Sequence, residues 1–116
     1  MQFMALIYSD PATHPAPGSP EQTAMLDDYR AATRSYQSDG CYLSGDALLG
    51  VGTAKSLRIR GDKSIVMDGP FAETKEHLGG YYLLDCPSID EAVKLAERIP
   101  AARFGTIEVR PVMQFR

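Results

Sequence analysis

The sequence is poor in the residues that do specialised chemistry. Its 116 residues include no tryptophan, two histidines and two cysteines. Cys41 and Cys86 stand far apart and match no metal-ligand or redox spacing. A disulfide scaffold is therefore excluded, and both thiols read as small apolar fillers in a reduced, cytoplasmic setting. With so few His and Cys, and no carboxylates at ligand spacing, no metal site is predicted and no cofactor is expected. Basic charge is scarce as well: 12 Lys and Arg face 15 Asp and Glu, a net charge of −3, and no three basic residues are consecutive. That balance speaks against direct nucleic-acid binding through phosphate neutralisation. Long apolar runs are missing too. Charges interrupt every run well short of the ~18 residues of a membrane span. The opening run Met1–Tyr8 has no basic flank and is too short for a signal peptide, so no membrane partner is expected.

What is present is enough for one folded domain. Hydrophobic side chains make up 44% of the chain, too many for a disordered protein. The length fits a single domain over residues 1–116, able to hide about 65% of its unfolded surface.

Periodicity divides the chain. Residues 2–8 are apolar at both alternating sets, Phe3/Ala5/Ile7 and Met4/Leu6/Tyr8, which predicts a strand covered on both faces. Prolines 11, 15, 17 and 20 make residues 11–20 a loop. Ser19 as N-cap, Pro20 at the first helical position and Gln22 closing a capping box start a helix over 20–39, ended by Gly40. Met25, Tyr29, Ala32 and Tyr36 form its inward stripe. Residues 41–49 are extended and broken by Gly45. Residues 54–60 and 63–67 form a hairpin about Gly61-Asp62. Arg60-Gly61-Asp62 matches an adhesion tripeptide, but turn chemistry accounts for it. Residues 79–86 give another strand rich on both faces. Ser88 caps a second helix whose stripe is Ala92, Leu95, Ala96 and Ile99, stopped by Pro100. The last strand, 104–113, alternates polar and apolar residues.

The order is a split βαβ, ferredoxin-like α+β plan with an extra β-hairpin: an antiparallel sheet with two helices on one face. The first strand and the one before the second helix are then central, and the last is an edge. Two helices cover only one face. The second apolar face calls for another cover, which a homodimer packed sheet to sheet would supply.

The longest local signature is Asp68-Gly69-Pro70-Phe71-Ala72-Glu73-Thr74-Lys75-Glu76, followed by Leu78-Gly79-Gly80-Tyr81-Tyr82. With Leu6-Ile7-Tyr8, Ser19-Pro20-Glu21, Ala101-Ala102-Arg103 and the closing Ile107–Val112, it resembles the YCII-related proteins, in the subgroup named after the sequence D-G-P-F. The resemblance spans essentially the whole chain. It implies a dimeric α+β barrel. In the wider superfamily it implies lyase or dehydrochlorinase activity on chlorinated hydroxylated rings, lactone isomerisation or small monooxygenase chemistry. Members similar to this subgroup accompany extracytoplasmic-function sigma factors. A His/Asp pair is suggested as the active site of such proteins. Residues 20–39 hold no His, so only Asp68 carries over.

Each candidate residue has two readings. Asp68 is a turn cap beside Gly69 and Pro70, with Phe71 plugging the core, or it is a carboxylate at a strand end facing a cleft, acting as general acid/base. Glu73, Lys75 and Glu76 form a solvated loop, or a lid in which Lys75 draws an anionic or phenolate ligand. Glu108 and Arg110 form an ion pair, or line a space between two sheets. Tyr8 and whichever of Tyr81 and Tyr82 points away from the helices are candidates for an aromatic pocket; the other tyrosines read as core. His14 reads as a solvated loop residue, and His77 as a variant position.

Three functions follow: a cofactor-independent lyase or isomerase acting on a small aromatic or lactone near Asp68, a small-ligand or sigma-factor partner module, or a purely structural dimer.

Overall fold

A computed structural model describes residues 1–115. Strand β1 (Gln2–Ser9) leads into helix α1 (Pro20–Ser38) and strand β2 (Tyr42–Ala47). A hairpin of β3 (Lys55–Arg60) and β4 (Lys63–Asp68) follows, then β5 (His77–Asp85), helix α2 (Ile89–Ala96) and β6 (Thr106–Pro111). The main sheet has the order β2-β5-β1-β6 and is antiparallel throughout. The two doubly apolar strands are therefore central and the alternating one is an edge, as their patterns predict. The hairpin pairs only with itself, as a separate two-stranded sheet.

Local chemistry sets the helix ends. Ser19 Oγ accepts from the Gln22 amide, and Gln22 Oε1 reaches back one residue further than in a capping box, to the Gly18 amide. At the other end Gly40 is left-handed at φ 71°. Its amide bonds to the Gln37 carbonyl and that of Cys41 to the Tyr36 carbonyl, the paired bonds of a Schellman motif. Ser88 Oγ accepts from the Glu91 amide to start α2.

The helices settle which face of β1 is inside. Phe3, Ala5, Ile7 and Ser9 are buried under them, and Met4, Leu6 and Tyr8 lie half-buried on the open face. On β5, Gly80, Tyr82 and Leu84 point inward, and Tyr81 and Leu83 point out. The core joins these residues to Tyr36, Ala96, Ile99 and Ala101. Tyr36 is fully buried. Its hydroxyl donates to the Leu95 carbonyl at 2.6 Å, and its ring stands edge-on to Tyr82 at 5.2 Å.

Two glycines let β2 lie close. The Tyr82 ring packs over Gly45, where a Cβ would meet it at 2.7 Å, and a Cβ on Gly80 would meet the Asp46 carbonyl oxygen at 2.7 Å. Gly45 thus sits inside β2 rather than breaking it.

One core assignment is corrected. Phe71 does not plug the core; it is 74% exposed. The hairpin leaves the main sheet, so the turn after it has no core beneath it.

Candidate cleft between helix α1 and the β2–β5 strands

A cleft of about 390 Å³ opens where the first half of α1 faces the ends of β1, β2 and β5. Its walls are mostly apolar: Ile7, Met25, Leu26, Ala47 and Leu48, with Tyr29 and Tyr82. The missing side chain of Gly80 keeps the floor low. A small apolar site with a few placed polar groups is the usual form of a ligand pocket.

The polar groups come from two ends. At one, Ser9 Oγ lies 2.7 Å from His14 Nε2. The chain folds back to make this contact through a turn built on Asp10. Asp10 Oδ1 accepts from the Ala12 amide, its carbonyl accepts from Thr13, and the His14 amide closes the turn on the Pro11 carbonyl. Pro11 fixes the turn further. At the other, the Tyr82 hydroxyl pairs with Thr33 Oγ1 at 2.8 Å. On the opposite, open face of the sheet, Tyr81 donates its hydroxyl proton to Asp46 Oδ2 at 2.8 Å. Burial is the main cause that raises the phenols of Tyr29 and Tyr82 above their ordinary range. Tyr81 is raised chiefly by its bond to the Asp46 carboxylate. All three phenols therefore hold their protons more tightly than a free tyrosine does.

The residues singled out in the sequence fall in three places. Tyr81 and Tyr82 line the cleft. Tyr82 points toward the helices and Tyr81 away from them. Tyr8, Glu108 and Arg110 lie on the open sheet face, where Arg110 Nε meets Glu108 Oε2 at 2.7 Å and the pair stays exposed. Asp68 and Lys75 lie outside the cleft. Asp68 ends β4, strongly exposed, and pairs with Lys55 Nζ at 2.6 Å. Lys75 is exposed in the segment between β4 and β5 and makes no ion pair among the described residues.

Ser9, His14, Asp46, Tyr29 and Thr33 escaped the sequence reading as site residues. The signal for the first two is Ser9-Asp10-Pro11 with His14 beyond, a tight turn able to return the imidazole to the serine. No group of three or more potential metal ligands occurs among the described residues. No described helix is long and apolar enough to cross a membrane.

A two-helix α+β domain of ferredoxin-like plan, with a cleft beside its first helix, is the class of protein that fold and site define. The model of the YCII-related domain matches residues 1–116. An uncharacterised protein of Rhizobium meliloti (strain 1021), R00369, is 37% identical over 118 residues, covering all of this chain and 95% of that protein. The chain belongs to the YCII-related family.

Proposed function

We propose that the cleft binds a small, largely apolar molecule carrying an ionisable oxygen, and that His14 moves a proton on it without a cofactor, in a lyase- or isomerase-type reaction. The observation that carries this is the Ser9–His14 contact at the rim of the cleft. A histidine held by a hydroxyl within reach of a bound ligand is positioned as a general base, and His14 is exposed at the cleft's rim. Tyr82 and Thr33 supply a second polar contact where α1 faces β5. In this reading Asp68 is a structural ion-pair partner of Lys55 rather than the catalytic group.

The test is a screen of small phenols and lactones by ligand-observed NMR, with deuterium uptake into the ligand as the catalytic readout. His14→Ala should abolish uptake and Ser9→Ala should reduce it, while Asp68→Asn leaves both binding and uptake unchanged. Uptake that survives His14→Ala but is lost in Asp68→Asn would reverse the assignment.

A second reading concerns assembly, and the open sheet face favours it. Met4, Leu6 and Leu83 are apolar there with no helix over them. A second copy of the chain packed sheet to sheet would cover them as a homodimer.

A further inference from the structure

The β3–β4 hairpin has no cover in its own subunit. Every residue from Leu57 to Asp68 is exposed, including Leu57, Ile59, Ile65, Val66 and Met67. A lone two-stranded hairpin is marginal in water. The register places Leu57, Ile59 and Val66 on one side, and Arg58, Arg60 and Lys63 on the other with Ile65 and Met67. The hairpin also stands away from the body. The radius of gyration is 16.2 Å, against about 13 Å for a compact chain of this length. Charge is divided in the same way. Lys55–Asp68 holds four basic and two acidic side chains, which leaves eight basic and thirteen acidic for the rest of the chain.

We propose that this hairpin is an arm that clasps a second copy of the chain. Its Leu57–Ile59–Val66 strip continues the apolar contact from the sheets onto the partner's body, and its basic charge meets the partner's acidic body. The occupant follows from charge and symmetry. Two arms of the same net sign repel, so arm-to-arm pairing is disfavoured, whereas arm-to-body contact is attractive and is made twice by one two-fold axis. The Asp68-Gly69-Pro70-Phe71 turn, exposed except at the half-buried Gly69, lies at the root of the arm, where Ser56 Oγ donates to the Gly69 carbonyl and the Gly69 amide bonds to the Ala54 carbonyl. These bonds, with the Lys55–Asp68 pair, tie the two strands together at the base of the arm.

The proposal rests on the homodimer reading, and its test separates the two. Sedimentation equilibrium is run on the wild-type chain, on a Leu57→Asp/Val66→Asp variant, on an Arg58→Glu/Arg60→Glu variant and on Leu6→Asp at the sheet face. All four arm positions are exposed in the subunit, so circular dichroism should show intact folding. Both arm variants should weaken dimerisation by about tenfold or more, the effect of losing one buried aliphatic anchor or a desolvated charge contact. Arm amides in the wild type should exchange more slowly as protein concentration rises through the dimer dissociation constant. A dimer broken by Leu6→Asp but indifferent to both arm variants overturns the arm and keeps the sheet contact. A wild-type chain that stays at 12.7 kDa at micromolar concentration overturns both.

Discussion

Tyr36 and Phe3 are among the largest fully buried side chains, and they hold the core in different ways. Phe3 contributes area alone. Truncation to Ala should cost about 3–5 kcal/mol by lost transfer energy and the cavity left behind. Phe71, equally aromatic, is exposed, and Phe71→Ser should change stability by less than about 0.5 kcal/mol. Urea denaturation of the two variants at one protein concentration gives the comparison. Tyr36 adds a hydrogen bond to area. Tyr36→Phe leaves the Leu95 carbonyl with only its backbone partners, a loss of about 1 kcal/mol. Titration exposes the same residues. Burial is the leading cause that pushes up Tyr36, Tyr82, Tyr29, Cys41 and Cys86. A folded state that holds its protons more tightly than the unfolded chain loses stability as pH rises. The contribution is whole below the ordinary thiol and phenol values of about 8.5 and 10, and declines above them. Denaturant midpoints should therefore fall from pH 9 upward, and Tyr82→Phe should make the fall shallower.

At the scale of elements, some of the fold was legible in the sequence and some was not. Both helices follow from 3.6-residue spacing and from Ser19 and Ser88, because capping and amphipathicity are local, but α2 stops at Ala96 and Ile99 joins the core from beyond its end. The central strands β1 and β5 follow from their double apolar pattern. The covered face of β1 was not legible, since Phe3/Ala5/Ile7 and Met4/Leu6/Tyr8 are equally apolar and only packing chooses. The hairpin's two strands are visible in its alternation, but its departure from the main sheet is not, because pairing partners are set by register across the whole chain. For the cleft the same limit is sharper. Ser9, His14, Thr33, Asp46 and Tyr81 come from four elements and a turn, and no spacing links them. Glycine placement is the element-scale device that makes the cleft. Gly80→Ala would drive a Cβ into the Asp46 backbone oxygen, which cannot rotate away. The expected outcome is a destabilisation of about 1–3 kcal/mol, with faster amide exchange along β2 than along β1. Equal exchange in both strands would place the close approach elsewhere.

The whole molecule is thin and one-sided, 18 Å in its shortest dimension, with helices on one side of a sheet and none on the other. A chain of this size hides only part of its apolar surface. Met4, Leu6 and Leu83 sit over a half-wet face, edged on β6 by the Glu108–Arg110 pair. If a second copy covers that face, folding and association are linked, and the apparent stability depends on protein concentration by mass action. The melting temperature should then rise with each tenfold increase in concentration, a dependence that a monomer cannot show. Leu6→Asp should flatten the dependence by placing an unpaired carboxylate in the contact, while costing little in the separated subunit because Leu6 is only half-buried there. A melting temperature independent of concentration in the wild type would mean that the second face is solvated, and that the two helices complete the fold on their own.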